Sequence, residues 1–369
     1  MPNLKLGIVG LPNVGKSTLF NALTAAGAAA ENYPFCTVDP NVGVVEVPDP
    51  RLDLLNEVVQ PKARVPAVVT FVDIAGLVEG ASQGEGLGNR FLANIREVHA
   101  ICHVVRCFDD DDVAHVAGSV DPVRDLGIID TELALADLAA VEKRADRVAK
   151  LARSGDRDAK EEAKLLGRLE EALGEGRPAR DVPIHNGAER RWLAELQLLT
   201  AKRQLIVANV LEEDLPEGDN RHVRALREEL AGRGEDAELV ALAAAIEAEL
   251  QSLDPAERAE YLTELGLQEP GLHRLIRAGY RLLDLISFFT AGPKEVRAWT
   301  IRRGSTAPEA AGEIHSDFQR GFIRAETIGW EDFEEIRSEA KARERGLMRS
   351  EGKDYVVDDG DVMLFRFNV

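Results

Sequence analysis

The segment Gly10-Leu11-Pro12-Asn13-Val14-Gly15-Lys16-Ser17 has the residue types and spacing of a phosphate-binding loop. Glycine at both ends lets successive backbone N–H groups turn inward around an anion, and a following helix directs its positive end at the same point. Lys16 is expected to reach the β- and γ-phosphates of a nucleoside triphosphate and Ser17 to ligate Mg2+, with Asn13, Val14, Gly15 and Thr18 among the nucleotide-binding residues. Asp73 closes the run Val68 to Asp73 and precedes Ile74-Ala75-Gly76-Leu77. An acid at this point holds Mg2+ through water, while the N–H of Gly76 senses the γ-phosphate. Thr37, in the loop after the first helix, is expected to complete the metal shell. Ras-type GTPases carry, at the position of Leu77, a glutamine that orients the attacking water; leucine can neither donate nor accept a hydrogen bond. Another group must then position the water.

Asn209-Val210-Leu211-Glu212 follows an apolar run where GTPases carry Asn-Lys-x-Asp. Val210 replaces the lysine whose stem covers the base, and Glu212 replaces, with one extra methylene, the aspartate that accepts from guanine N1 and N2. Discrimination for guanine should weaken and adenine is admitted, so these residues leave ATP and GTP both open. Where a Ser-Ala turn reads the base from a second side, this chain has Leu242-Ala243-Ala244-Ala245-Ile246-Glu247, which offers only backbone groups.

The elements that must position these residues read as an α/β fold. Leu4 to Val9 is a buried strand by its apolar run, and Ser17 to Ala25 has helical apolar spacing. Strand-like runs at Val42 to Val47, Val68 to Asp73, Ala100 to Cys107 and Leu205 to Asn209 alternate with helical stretches, the pattern of a parallel sheet with crossover helices. Between the third and fourth runs, 129–200 is rich in Ala, Leu, Glu, Lys and Arg. Its leucines and valines, among them Leu135, Leu138, Val141, Val148, Leu151, Leu165 and Leu169, repeat near helical spacing and break at Ser154-Gly155-Asp156. This predicts an antiparallel helical hairpin inserted into a discontinuous nucleotide domain of residues 1–128 and 201–283. Pro255 to Leu283 reads as helical. Val296 to Ile301, Phe322 to Glu326 and Met363 to Phe367 read as short strands of a small α+β domain, 284–369.

Length and composition agree with two or three domains: 369 residues, 30% charged and 45% hydrophobic. No apolar run approaches a membrane span, and the start Met1-Pro2-Asn3-Leu4-Lys5 runs into the first strand instead of a signal peptide, so a cytoplasmic protein is expected. Cys36, Cys102 and Cys107 lack metal-ligand spacing and read as reduced thiols. A net charge of −20 argues against whole-surface attraction to nucleic acid, so an RNA contact would need a local basic patch. Gly80, Gly84, Gly86 and Gly88 form a second glycine-rich stretch expected to act as a mobile switch.

Taken in order, these strings resemble the Obg-like ATPases, the YchF group of translation-factor-class P-loop proteins. The resemblance is carried by Gly7 to Ser17, Tyr33-Pro34-Phe35-Cys36-Thr37, Phe71 to Leu77, Gly84 to Asn89, Asn209 to Glu212, His315-Ser316-Asp317-Phe318, Arg320 to Glu326 and Asp359 to Met363, nearly end to end. It implies a G domain, an inserted helical hairpin and a C-terminal TGS domain of β-grasp fold. It also implies ATP preferred over GTP through Asn209 and Glu212, and a K+ ion held with help from Asn13. For water activation it points to His115; the competing reading has the four aspartates Asp109 to Asp112 hold a protonated His115 at the surface. Association with the ribosome, its large subunit in particular, is implied, with rRNA contact through the TGS domain or the hairpin. Arg302, Arg303, Arg320 and Arg324 are the residues there able to pair with phosphates or, alternatively, with neighbouring acids. A slow regulatory ATPase follows, against two alternatives: a GTP-preferring ribosome-associated GTPase, and a nucleotide-sensing module in which hydrolysis is incidental.

Overall fold

The computed structural model describes residues 4–26, 41–74, 87–110, 112–233 and 238–368, excepting the side chains of 87–90. Thr37, Gly76, Cys36, Leu77, Gly80, Gly84 and Gly86 therefore lie outside the described residues.

The chain opens with β1 (Lys5–Val9), α1 (Lys16–Ala26), β2 (Val42–Glu46), α2 (Pro50–Val59), β3 (Ala63–Val65), β4 (Val68–Asp73), α3 (Leu87–Glu97) and β5 (Ala100–Arg106). The helices α4 (Pro122–Arg153), α5 (Arg157–Gly174) and α6 (Gly187–Leu196) follow, then β6 (Arg203–Asn209), α7 (Arg221–Gly232), β7 (Glu238–Leu242) and α8 (Ala244–Leu250). Six strands form the first sheet in the order β2-β4-β1-β5-β6-β7. Its strands run parallel except for β2, which pairs antiparallel with β4. Every residue of β5 is buried, as expected of a central parallel strand covered on both faces. β1 lies between β4 and β5, so the loop after it opens at the carboxyl end of the sheet where strand order reverses, the usual crevice for a ligand.

The hairpin is built from α4 and α5. Asp121 and Asp156 cap their N-termini, accepting from the amides of Arg124 and Ala159. Val141, Val148, Leu165, Leu166, Leu169 and Leu173 bury in the seam between them. Two features differ from the sequence expectation. The first helix starts at Pro122, not near 129, because Leu126, Ile129 and Leu133 pack into the cores of the sheet domain before the helix leaves it. Leu135 and Leu151 face solvent, since a 3.6-residue repeat rotates some of so many leucines out of one seam. Asp137 fastens the base of the hairpin: its buried carboxylate accepts from the Leu199 amide (2.9 Å) and from the Thr200 amide and hydroxyl (both 2.7 Å).

Helices α9 (Pro255–Glu264) and α10 (Gly271–Leu282) lead to the C-terminal elements. These are β8 (Leu285–Ala291), β9 (Glu295–Arg302), α11 (Ala307–Ile314), α12 (Ser316–Arg320), β10 (Phe322–Ile328), α13 (Trp330–Ile336), α14 (Glu339–Glu344), β11 (Arg349–Glu351) and β12 (Val362–Phe367). The second sheet runs β11-β10-β12-β8-β9-β3. Its last strand comes from the first 70 residues: Ala63, Arg64 and Val65 pair parallel with Glu295, Val296 and Arg297. Arg51 strengthens this junction, binding Asp49 (2.8 Å) and Asp359 (3.0 Å) while its guanidinium lies 5.2 Å from the Phe289 ring centre. The buried Tyr280 hydroxyl on α10 hydrogen-bonds the Ile286 carbonyl, Ser287 and Thr300.

Asp137→Ala would strand two buried amides and a hydroxyl, and is expected to cost about 2 to 4 kcal/mol. Urea unfolding followed by circular dichroism tests this; a loss below about 0.5 kcal/mol would mean that the base of the hairpin is held by packing alone.

Candidate functional site: the phosphate loop and its surroundings

The loop between β1 and α1 takes its shape from three residues in the left-handed or glycine-only region: Gly10 (φ 154°), Asn13 (φ 60°) and Gly15 (φ 98°). A side chain is excluded at two of them. A Cβ on Gly10 would lie 2.4 Å from the Val104 carbonyl oxygen, and one on Gly15 would lie 2.2 Å from Nδ2 of Asn209. Val14 is buried beneath the loop, whereas Ser17 and Thr18 are exposed on the first turn of α1. That turn holds no acidic residue, so nothing on it opposes an anion.

Lys16 is nearly buried and donates from Nζ to the Leu11 carbonyl across the loop, at 2.6 Å. Burial lowers its ammonium to about 8, a shift that the nearby Asp73 partly offsets. Asp73, half-buried at the end of β4, is pushed above the usual carboxylate range by burial and pulled back by Lys16. Ser17 and Asp73 carry hard oxygens of the kind Mg2+ takes, and an ion there would complete its octahedron with water and substrate phosphates.

Asn209, at the end of β6, spends its amide inside the protein. Nδ2 donates to the Val14 carbonyl (3.0 Å), and Oδ1 accepts from the Ala244 amide (3.0 Å), joining the phosphate loop to the first residue of α8. Val210 is buried among Val105, Ala208 and Ala243, and its amide donates to Leu242. Its side chain thus belongs to the core and not to the surface that a base would meet. Leu211 and Glu212 are turned outward and line an open groove of 640 Å³ with Leu215, Pro216, Glu264 and Leu265. Glu247, which the motif reading left without a role, caps α10 by accepting from the amides of Gly271 (2.7 Å) and Leu272 (3.2 Å).

His115 does not sit at the surface among the aspartates. Its side chain is 3% exposed and pairs through Nε2 with Asp125 at 2.8 Å. Asp109, first of the acidic run, instead binds Arg221 (2.6 Å) and His222 (3.0 Å) at the start of α7. The segment leading to His115 is tied to the phosphate loop, since Nδ2 of Asn13 donates to the Ala114 carbonyl at 3.1 Å.

Three positioning residues escaped the sequence reading. Arg106, fully buried at the end of β5, donates to the carbonyls of Phe108 (3.1 Å), Asp110 (3.0 Å) and Val113 (2.8 Å), and stacks over Phe108. Asn220 donates to the Cys107 carbonyl and to Asp214, which accepts in turn from the Leu211 amide. Asp125 is the third. Lone polar residues at helix and strand ends give no motif by which they could be found. Among the arginines expected to meet phosphate, Arg303 pairs with Asp284, Arg320 with Asp317 and Arg324 with Glu326.

Comparison with known proteins places this geometry. Residues 5–129 match the family profile described as a 50S ribosome-binding GTPase, and residues 285–368 match the YchF GTPase C-terminal profile, described as a protein of unknown function. The chain is 55% identical over 368 residues to the ribosome-binding ATPase YchF of Bacillus subtilis, covering 99% of this chain and all of that one. The chain belongs to the YchF family of Obg-like ATPases. A YchF protein of Escherichia coli O157:H7 is 54% identical over 365 residues, 99% of each chain, and the chicken Obg-like ATPase 1 is 44% identical over 99% of this chain and 93% of its own length. The structure of the Schizosaccharomyces pombe YchF GTPase superposes with a TM-score of 0.89 at 40% identity, covering 99% of this chain and 98% of that one. Membership in this family, with a P-loop GTPase profile over residues 5–129, implies nucleotide binding with a divalent metal such as Mg2+.

The lowered Lys16 predicts a proton linkage. Triphosphate charge favours the ammonium, so nucleotide binding at pH 8.5 should draw roughly half a proton or more onto Lys16, and affinity should fall as pH rises through about 8. Calorimetry at pH 8.5 in two buffers of different ionisation enthalpy measures this; identical heats would mean that Lys16 is already fully charged before binding.

Proposed function

We propose that this YchF protein is a slow ATP hydrolase that associates with the ribosome through its large subunit, its nucleotide state governing the association. The observation that carries the reading is identity of 54–55% over the full length of proteins named ribosome-binding ATPases, together with an intact phosphate loop. Slowness has a physical basis in the chain itself. Position 77 is a leucine, and His115, the residue we assign to positioning water, is engaged elsewhere. The cytoplasm is the compartment this reading implies; among the described residues no helix is long and apolar enough to cross a membrane.

In the bound complex Lys16 would contact the β- and γ-phosphates, Ser17, Thr37 and Asp73 would hold Mg2+, and the N–H of Gly76 would meet the γ-phosphate. The metal would shield the charge of the phosphates. The neutral amide of Asn13 has the oxygen chemistry for K+, which would balance charge on the phosphates. Leu211 and Glu212 would border the base. Contact with rRNA through the hairpin or the C-terminal TGS fold would have to be local in so acidic a chain.

A guanine reading is kept in view because relatives are described both as ATPases and as GTPases. Calorimetric titration in potassium buffer with Mg2+ decides between them: ATP is expected to bind about tenfold or more tightly than GTP, and Glu212→Asp to narrow that ratio severalfold. Tighter GTP binding by the native protein would sink the ATPase reading. The catalytic assignments are tested by turnover. Exchanging K+ for Na+, replacing Asn13 by Ala, or replacing His115 by Ala should each lower kcat at least roughly tenfold, His115→Ala with nucleotide affinity kept. Full turnover after any one of them removes that group from the mechanism.

A further inference from the structure

Both ring nitrogens of His115 are occupied. Nε2 faces Oδ2 of Asp125 at 2.8 Å, and Nδ1 accepts from the Ala117 amide at 3.2 Å. Accepting at Nδ1 puts the ring proton on Nε2, where it is donated to the carboxylate. An imidazole used in this way has no nitrogen left for a water molecule. Asp125 is itself fully committed: Oδ1 accepts from Nε (3.2 Å) and Nη2 (2.9 Å) of Arg124, and the carboxylate is buried in the first turn of α4.

Two tethers therefore fix one short segment. Asn13 of the phosphate loop holds the Ala114 carbonyl, and Asp125 of α4 holds the next residue's side chain. Upstream, Arg106 fastens the carbonyls of Phe108, Asp110 and Val113. Downstream, Arg124 braces the turn, donating to the Ser119 hydroxyl (3.1 Å) and carbonyl (2.6 Å), while Asp125 supplies the polar partner of the ring's Nε2.

We infer that Asp125 is an inhibitory positioning residue: it holds His115 withdrawn from the phosphates, and turnover requires this pair to part. The inference rests on the reading of His115 as the residue that positions water. Asn13 gives the pair its link to the nucleotide, because any shift of the phosphate loop acts on Ala114, directly beside the histidine. Helix α4 gives it a second link, because the helix that carries Asp125 in its first turn runs unbroken to Arg153 in the hairpin. One histidine is thus biased from two sides, by the loop that binds nucleotide and by the element that projects from the body of the protein.

The experiment measures single-turnover and steady-state ATP hydrolysis by the full chain with Asp125→Asn, Arg124→Ala, His115→Ala and the double variant His115→Ala/Asp125→Asn. Asp125→Asn keeps the size of the side chain and removes the charge that strengthens the bond, so kcat should rise roughly tenfold with KM unchanged. Arg124→Ala removes the cation paired with Asp125 but not the His115 contact, so it should not raise kcat; a rise equal to that of Asp125→Asn overturns the inference. In the His115→Ala background the gain from Asp125→Asn must vanish. A fall in kcat with Asp125→Asn would mean that Asp125 assists the working histidine, and overturns the inference; so does no change, or a gain that survives without His115. If His115→Ala alone keeps full turnover, the reading of His115 fails and the inference with it, a result distinct from the others. Should Asp125→Asn not fold, the native protein still decides. The ring 15N resonances of His115 are expected to shift when Mg2+ and a non-hydrolysable ATP analogue saturate the site, and a ring that keeps its Nε2–H form and its shifts unaltered overturns the inference.

Discussion

One buried amide holds the nucleotide crevice together. Asn209 is separated from Val14 by 195 positions and from Ala244 by 35, yet it bonds both, and its Nδ2 fills the space where a side chain on Gly15 would lie. Three loops at the carboxyl edge of the first sheet are fixed to one another by a group that has no solvent to fall back on. Burial makes such a bond costly to lose, since an amide stripped of its partners in the interior retains its full desolvation penalty. The phosphate loop can therefore keep Asn13 and Gly15 in conformations that most residues avoid. The strand carrying Asn209 is the first to return after the helical insertion, so the hairpin must leave and re-enter the sheet without disturbing β6. Asp137, bonded to Leu199 and Thr200 just before that strand, fastens the point of return.

A second constraint joins the nucleotide-binding sheet to the C-terminal one. Ala63 to Val65 extends the second sheet by one strand and is followed within three residues by β4, whose far end carries Asp73. A strand pairing cannot slip by one residue without turning its side chains to the opposite face, so β3 fixes the start of β4 relative to β9. Arg51, on α2, binds Asp359 beside β12, and Tyr280, on α10, binds Ser287 and Thr300 across β8 and β9. Helix α10 in turn is capped by Glu247, three residues beyond the Ala244 amide that Asn209 holds. The two sheets are thus linked on two sides, and the linkage reaches the nucleotide crevice through short chain segments and hydrogen bonds rather than through a loose linker.

What could be read from the sequence was whatever announces itself by spacing. The phosphate loop, the parallel strands at 68–73 and 100–106 and the hairpin break at Ser154-Gly155-Asp156 repeat with the period of their element or sit at glycine and proline punctuation. Strand β8 was harder: Leu285 to Phe289 is an apolar run that follows the helical pattern of α10 almost at once, and periodicity does not separate such a run from more helix. The start of α4 was obscured because its first turns pack on the sheet domain and its later turns on α5, so two apolar stripes overlap in one helix. Strand β3 has three residues and depends for its existence on a partner some 230 positions away, which no local pattern encodes. Within the site, the residues of the motifs were legible while their supports were not. Arg106, Asp125 and Asn220 act by reaching carbonyls or side chains brought near only by the fold, and a hydrogen bond to a backbone carbonyl leaves no trace in the residue type of its acceptor.

His115 shows why residue type and neighbourhood in sequence are poor guides to where a side chain reaches. Four aspartates stand just before it, and charge alone would draw the ring to them at the surface. Geometry assigns it otherwise. Asp109 is taken by Arg221 and His222, Arg106 pulls the carbonyl of Asp110 inward, and the chain turns so that the imidazole meets a carboxylate ten positions downstream. Exposed carboxylates attract weakly through water, whereas a buried one at hydrogen-bond distance does not share its field with solvent. A single buried partner therefore outweighs a run of exposed ones, and the residue best suited to handle a proton is held where the fold, through Asn13 on one side and α4 on the other, can govern when it does so.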